Sequence, residues 1–299
     1  MTSQTITAAA SGTWKLGDRT VHRLGFGTMR LPQYGEALVP DAVPRDRDQA
    51  LQVLRRAVEL GVNHIDTAAF YFSPLRSANE LIDRALAPYP DDLVIATKVG
   101  PGRDLSGDWL PHATPAQLRG QVEENLRQLG RDHLDVVNLR IVGTDSLADR
   151  FGTLADLRQA GLIRHLGLSN IRPHHLTEAQ AIAPVVCVQN MYGIGASPEQ
   201  EELLRICGEQ GIAFVPFYSI AGTGRTTGAP ARDSDRVHAV ARAHGVSTAQ
   251  VRLAWTLHQG PHVLAIPGTG DLGHLAENVA AGSLRLTEDE LTDLRHGTA

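Results

Sequence analysis

The stretch Gly161-Leu162-Ile163-Arg164-His165-Leu166-Gly167-Leu168-Ser169-Asn170 holds one unit of a pattern that runs through the chain. Gly161 follows Leu147–Ala160, which has the spacing of an amphipathic helix, and sits where a left-handed C-cap is wanted. The short run Arg164–Ser169 comes next, a strand that ends on the polar Ser169 and is followed by Asn170. Helix, glycine, strand, polar end is the grammar of a β/α protein.

Outward from this unit the same grammar repeats. Strands are predicted at Val21–Met29, Asn63–Ala68, Leu93–Val99, Asp135–Ile141, Arg164–Ser169, Val185–Asn190, Ala213–Ser219 and Val263–Thr269. Between them lie helical patterns, among them Asp48–Leu60, Ala78–Leu86, Pro115–Leu129, Leu147–Ala160, Pro198–Gln210 and Ser234–His244. Gly61, Gly130 and Gly211 repeat the role of Gly161, while Thr114-Pro115 and Ser197-Pro198 each set an N-cap before a proline. Several strands are almost continuously apolar, as when both faces of a parallel sheet are covered. Eight such units in 299 residues predict an α/β fold, a (β/α)8 TIM barrel. A doubly wound open sheet competes, but no G-x-G-x-x-G opens the first helix.

Two features depart from the plain repeat. Thr13–Leu16 and Thr20–Arg23 flank Gly17-Asp18 and read as an N-terminal β-hairpin. Leu272–Ala281 and Asp289–Leu294 read as extra C-terminal helices. With no Pro-, Gly- or Ser-rich linker, residues 1–299 form one domain, in which 1–12 is expected to be a flexible tail. The long loops Pro101–His112 and Gly222–Asp233 follow strands three and seven, on the face where barrels carry their sites.

Composition narrows the function. Charged residues make up 20% of the chain, mixed in sign with a net charge of −5, and there is no basic stripe for nucleic acid. The N-terminus lacks the charged and apolar regions of a secretory signal, and no apolar run reaches membrane-span length. Cys187 and Cys207 sit among apolar neighbours without metal spacing, as reduced thiols of a cytoplasmic protein do. His174, His175 and Glu178 have helical spacing that would suit a metal, but a solvated helix face is the better reading, and no metal is expected.

The polar residues at strand ends carry the chemistry. Asp66 ends strand two, with Tyr71 in the following loop; Lys98 lies inside the apolar strand three; Arg140 ends strand four. A buried lysine needs a partner. Asp, Lys and Arg on neighbouring strand ends neutralise one another, and the cations would favour the phenolate of a tyrosine reaching in, tuning it as a general acid. A structural ion-pair network at the barrel rim reads from the same spacing.

Four segments, in order, resemble the aldo-keto reductase family: Asn63–Tyr71, Ile95–Lys98, Gly161–Asn170, and Ile266-Pro267-Gly268-Thr269 with His274–Asn278. The likeness runs from Trp14 to Leu294 and includes the hairpin and the extra helices. It implies an NADP(H)-dependent oxidoreductase that reduces an aldehyde or ketone, with a small carbonyl compound as its partner, as monomer or homo-oligomer. Asp66 would hold Lys98, Lys98 would lower the pKa of Tyr71, and Tyr71 would protonate the substrate oxygen. Ser169, Asn170 and Gln189 would bind the nicotinamide carboxamide, and Phe217 would stack on its ring. Gly27, Thr28 and Met29 would lie beneath the cofactor, with Tyr218, Ser219 and Ile220 beside it. Backbone amides around Gly222–Gly224 would hold the pyrophosphate, with Arg225 near the adenosine. Thr269 would meet the 2′-phosphate, with Glu277 and Asn278 at the adenine edge. Trp109 and Tyr192 are candidates for the substrate wall.

The departures point to a branch. Arg140 replaces the family's usual active-site His, as in bacterial pyridoxal reductase-like members, and can polarise a carbonyl or bind an anionic substituent but cannot shuttle protons. The usual phosphate-binding Lys and Arg appear as Gly268 and His274, for which Arg225 or Arg232 would compensate. Pyridoxal reduction, cyclic imine reduction and a non-catalytic nicotinamide-binding sensor are the alternatives. A metal-dependent hydrolase would need converging His and carboxylate ligands that the strand ends lack.

Overall fold

A computed structural model describes residues 6–220 and 234–295. The strands are β1 (Thr13–Leu16), β2 (Arg19–His22), β3 (Phe26–Gly27), β4 (His64–Asp66), β5 (Phe72–Ser73), β6 (Arg76–Ser77), β7 (Val94–Val99), β8 (Leu134–Arg140), β9 (Ile163–Ser169), β10 (Val185–Gln189) and β11 (Ala213–Phe214). The helices are α1 (Arg47–Glu59), α2 (Ala78–Leu86), α3 (Pro115–Leu129), α4 (Ala148–Gln159), α5 (Pro173–Gln180), α6 (Pro198–Glu209), α7 (Asp235–His244), α8 (Thr248–His258), α9 (Leu272–Ala280) and α10 (Glu288–Arg295).

Seven strands form one parallel sheet in the order β11-β10-β9-β8-β7-β4-β3. The eighth stave is the segment 263–267. Val263 bridges Phe214 and Ala265 bridges Leu24. Leu264 N–H donates to Phe214 O at 2.8 Å, and Gly25 N–H donates to Ala265 O at 2.8 Å. Those bonds join the two sheet edges and close the barrel. The outer strands are shorter than their apolar runs suggested. Pro216 and Pro267 have no N–H to give a ladder. Val21 and His22, at the start of the first run, pair within the hairpin instead. The barrel also closes tightly where β3 meets the last stave: a Cβ on Gly268 would lie 2.3 Å from Gly27 O, so neither partner has room for a side chain.

Strand alternation divides the core in two. Ile65, Ile95, Val137, Leu139, Leu166, Leu168, Val188 and Phe214 face the helices. Val94, Ala96, Val136, Cys187, Ala213 and Leu264 face the barrel axis, where they meet Leu16 and Val21 of the hairpin. The hairpin therefore plugs the floor. Its turn is held there by Asp18, whose carboxylate meets His165 at 2.7 Å and Arg164 at 3.0 Å.

Three expectations change. Ala8–Ser11 is a docked 3-10 helix rather than a flexible tail: Ala8 N–H donates to Leu60 O at 2.8 Å, and Ser11 Oγ accepts from Leu24 N at 3.0 Å. Helix α8 has no amphipathic stripe to betray it, because Val251–Leu257 is buried on every side. His175 is buried rather than solvated and caps α5 by accepting from Arg172 N at 3.2 Å. Among the described residues no group of His, Cys, Asp or Glu is placed to hold a metal ion. None of the described helices is long and apolar enough to cross a membrane.

The barrel interior also holds His64, packed against Gly25. Burial pushes its imidazole pKa down to about 4, against about 6.5 for an unfolded chain. Below about pH 6.5 the unfolded chain takes up a proton that folded His64 refuses, so stability falls as pH drops toward 4. Between about pH 7 and about pH 5 this amounts to about 2 kcal/mol. Denaturant unfolding at the two pH values should show a smaller acid loss for His64→Gln than for the wild type. Equal losses would remove His64 as the source.

Candidate active site

Inward-facing residues at the top of adjacent strands form one layer. Asp66 ends β4, Lys98 lies near the end of β7, Arg140 ends β8, Ser169 ends β9 and Gln189 ends β10. Register sets their neighbours: Arg140 pairs with Ser169, and Gln189 with Ser169. Beneath them Gly167 leaves space that Asn138 and Cys187 fill; a Cβ there would lie 2.1 Å from Asn138 Oδ1.

The centre of the layer is a buried ion pair. Lys98 Nζ lies 2.6 Å from Asp66 Oδ2 and donates to Thr67 O at 3.1 Å. Gln189 Nε2 donates to the other carboxylate oxygen at 2.7 Å. Lys98 Nζ also stands 4.8 Å from the centre of the Tyr71 ring. Burial pulls the Lys98 pKa down, but Asp66 and Tyr71 outweigh it and the ammonium is held above its ordinary value. For Tyr71 the balance differs from expectation. Burial and Asp66 raise its pKa by more than Lys98 and Arg140 lower it, so the phenol is harder to ionise than usual. The cations limit the rise without reversing it, and Tyr71 keeps its phenolic proton.

A cavity of about 840 Å³ opens above this layer. Asp66, Tyr71, Lys98, Arg140, Gln189 and Phe217 line it. So do Gly27, Met29, Tyr218, Ser219 and Ile220, and Gly268, Thr269, His274, Glu277 and Asn278 from the last stave and α9. Arg140 donates to Ser169 Oγ at 3.2 Å, and its guanidinium stands 5.1 Å from the Phe217 ring centre. Its backbone carbonyl is tied to His112 Nε2 at 2.7 Å, which fixes the end of β8 to the loop after β7. Trp109, from that loop, is 52% exposed, lines the cavity and packs on Phe70 at 5.7 Å.

Some expected residues stand elsewhere. Tyr192 is 2% exposed and lies outside the cavity. It shares the outward parity of Val188 and Asn190, stacks on Trp255 with centres 6.0 Å apart, and donates to Glu201 at 3.0 Å. It is a core residue, which corrects its assignment to the substrate wall. Ser169 and Asn170 do not line the cavity either: Ser169 serves Arg140, and Asn170, at φ 59°, donates to Ile141 O at 2.9 Å. Thr28 is buried and donates to Asp66 O at 3.1 Å, bracing β4 from below. Gly222, Gly224, Arg225 and Arg232 lie outside the described residues.

Sequence reading missed other lining residues, among them Leu38, Arg45, Phe70 and Ser247–Ala249. The Ser247–Gln250 capping box was the available signal for the last group. Arg45 sits in an irregular loop before α1, where no periodicity exists to read.

The residue span 23–296 matches the family model described as the aldo/keto reductase family. The chain belongs to the aldo/keto reductase family. It is therefore an oxidoreductase of carbonyl compounds. It is 42% identical to pyridoxine 4-dehydrogenase of Escherichia coli (strain K12), over 95% of this chain and 98% of that protein. It is 37% identical to an uncharacterized oxidoreductase of Schizosaccharomyces pombe, over 98% of this chain and 92% of that one. The solved structure of an aldo-keto reductase from Klebsiella pneumoniae in complex with NADPH superposes with a TM-score of 0.77, at 27% identity, covering 94% of this chain and 93% of that chain.

The placement of Arg140 generates a test. As a donor toward a developing oxyanion, it should cost about 10²–10³-fold in turnover when changed to Ala, with cofactor affinity little altered. Arg140→His separates two uses of the guanidinium. Recovery on every carbonyl tested would mean polarisation alone, whereas recovery on simple aldehydes only would mean that Arg140 binds a substrate substituent. Unchanged steady-state rates in a folded Arg140→Ala protein would take it out of the site.

Proposed function

We propose that this member reduces small aldehydes and ketones with NADPH, and that pyridoxal and its alcohol pyridoxine are the pair it interconverts. The observation that carries the reading is the Asp66–Lys98 pair 2.6 Å apart beside the Tyr71 ring, lining an 840 Å³ cavity.

The cavity residues fit a nicotinamide nucleotide. Gln189 Oε1 is buried with no protein partner, and an amide N–H such as that of nicotinamide supplies the missing donor. Phe217 offers a ring face, with Tyr218–Ile220 continuing the wall and Thr269, Glu277 and Asn278 serving the adenosine. When bound, NADPH supplies the hydride. The chain supplies the proton and the field. Tyr71 Oη donates its proton to the substrate oxygen, Lys98 stabilises the phenolate left behind, and Asp66 keeps Lys98 charged. Arg140 faces the same space with a fixed fork of donors. Pyridoxal carries a hydroxyl beside its aldehyde, a substituent that such a fork holds well, and the 42% identity to a pyridoxine 4-dehydrogenase supports that choice. Free buried thiols at Cys187 and Cys207 fit a cytoplasmic setting.

NADPH oxidation should accelerate with pyridoxal over other aldehydes, ketones and cyclic imines. Tyr71→Phe should lower turnover by about 10²–10⁴-fold while leaving NADPH affinity nearly intact. The raised Tyr71 pKa adds a sign. The proton donor stays loaded through neutral pH, so reduction should decline only near or above the ordinary phenol value of about 10. Wild-type turnover in Tyr71→Phe, or no NADPH oxidation with any carbonyl, would overturn the reading; a preference for another carbonyl would overturn only the substrate.

A further inference from the structure

The cavity lining holds two groups of different character: Asp66, Tyr71, Lys98 and Arg140 at the strand ends, and Gly268–Asp271 with His274, Glu277 and Asn278 from the last stave and α9. On the reading above, on which this inference rests, hydride chemistry places the nicotinamide at the first group and directs the adenosine toward the second. Among the described residues this part of the lining offers His274 but no lysine or arginine of its own. Asp271 and Glu277 bring negative charge, and position 268 cannot hold a lysine because a Cβ there would lie 2.3 Å from Gly27 O. The described arginine that reaches this part comes from another segment.

Arg45 comes from the loop between β3 and α1 and lines the cavity beside Gly270. Its backbone is held on both sides: Arg45 N–H donates to Pro32 O at 3.0 Å, and Arg45 O accepts from Arg76 Nε at 3.3 Å. The guanidinium stands 4.2 Å over the Tyr34 ring. Its Nη1 donates to Gly270 O at 3.3 Å and its Nη2 to Gln33 O at 3.1 Å. Gln49, on α1, donates to the same Gly270 carbonyl at 3.1 Å. Arg45 Nε is buried with no protein partner. Among the described residues, no carboxylate pairs with Arg45 within 4 Å. A half-buried guanidinium with spare donors, locked in one plane by an aromatic ring, matches the oxygen geometry of a phosphate.

We propose that Arg45 is the cation that reads the adenosine 2′-phosphate and so sets the preference for NADP(H) over NAD(H). The competing role is a clamp on the Gly270 turn, and it differs in one respect: a clamp serves both dinucleotides alike, because NADH lacks only the phosphate.

The test uses the full chain. Dissociation constants for NADPH and NADH are measured by calorimetry for the wild type, R45Q and R45K, with thermal unfolding as a check on folding. In R45Q the NADPH constant should rise about tenfold or more, the loss expected when a charged hydrogen-bonded pair is broken, while the NADH constant stays within about twofold. R45K should lie between, and 2′,5′-ADP should weaken as a competitor in step with NADPH. Equal weakening of both dinucleotides, or unchanged NADPH binding, would overturn the proposal. If R45Q does not fold, R45K decides by the same ratio. A wild type that binds neither dinucleotide would bring down the functional reading and this inference together; a wild type that binds NADPH, joined to an equal loss in the variant, brings down the inference alone.

Discussion

A positive and a negative charge buried side by side organise this barrel. Desolvating an ammonium and a carboxylate costs several kcal/mol each, and the pair is tolerable only with good geometry and with its remaining hydrogen-bonding capacity used. Asp66 and Lys98 meet those terms: one carboxylate oxygen takes Lys98, the other takes Gln189, and Thr67 O takes a second lysine proton. Breaking such a pair from one side typically costs about 3–5 kcal/mol. Much of the surrounding sequence serves this arrangement. Thr28 braces the backbone of Asp66 and reaches Thr67 Oγ1 at 3.0 Å; Thr67 continues to Asn79 at 2.7 Å, and Asn79 to Asn125 at 2.9 Å. This buried polar chain runs from β3 through β4 to α2 and α3 and holds the strand ends in register.

The layer is asymmetric. On one side Tyr71 is kept protonated by burial; on the other Arg140 is anchored through Ser169, Phe217 and the His112 contact to its backbone. A phenol that holds one proton thus faces a guanidinium that stays charged. That division suits a reaction in which negative charge develops on one oxygen and is then quenched.

Much of the fold was legible because helix and strand punctuation is local. Thr114-Pro115 and Gly130 bracket α3 in the structure as in the sequence. Asp66, Lys98, Arg140 and Gln189 were legible because polar residues ending apolar strands are costly unless they share a site. Other features depend on what no local window contains. Tyr192 was misplaced because its side is fixed by strand parity after β10, not by its residue type. The rise in the Tyr71 pKa reflects the depth of burial, which charge spacing does not reveal. Helix α8 was hidden by being buried on all sides over Val251–Leu257, and Arg45 by lying in a loop whose position depends on distant contacts with Gly270 and Arg76.

The hairpin at the base of the barrel has a kinetic meaning. Leu16 and Val21 close the floor from below, and among the described residues the layer of Asp66, Lys98 and Arg140 opens into the cavity above it. A vessel closed at its base favours a queue. A molecule lying against Asp66 and Gln189 would then enter before one resting on top of it, and leave after it. Traffic order is thus written into a four-residue strand pair on the face opposite the chemistry.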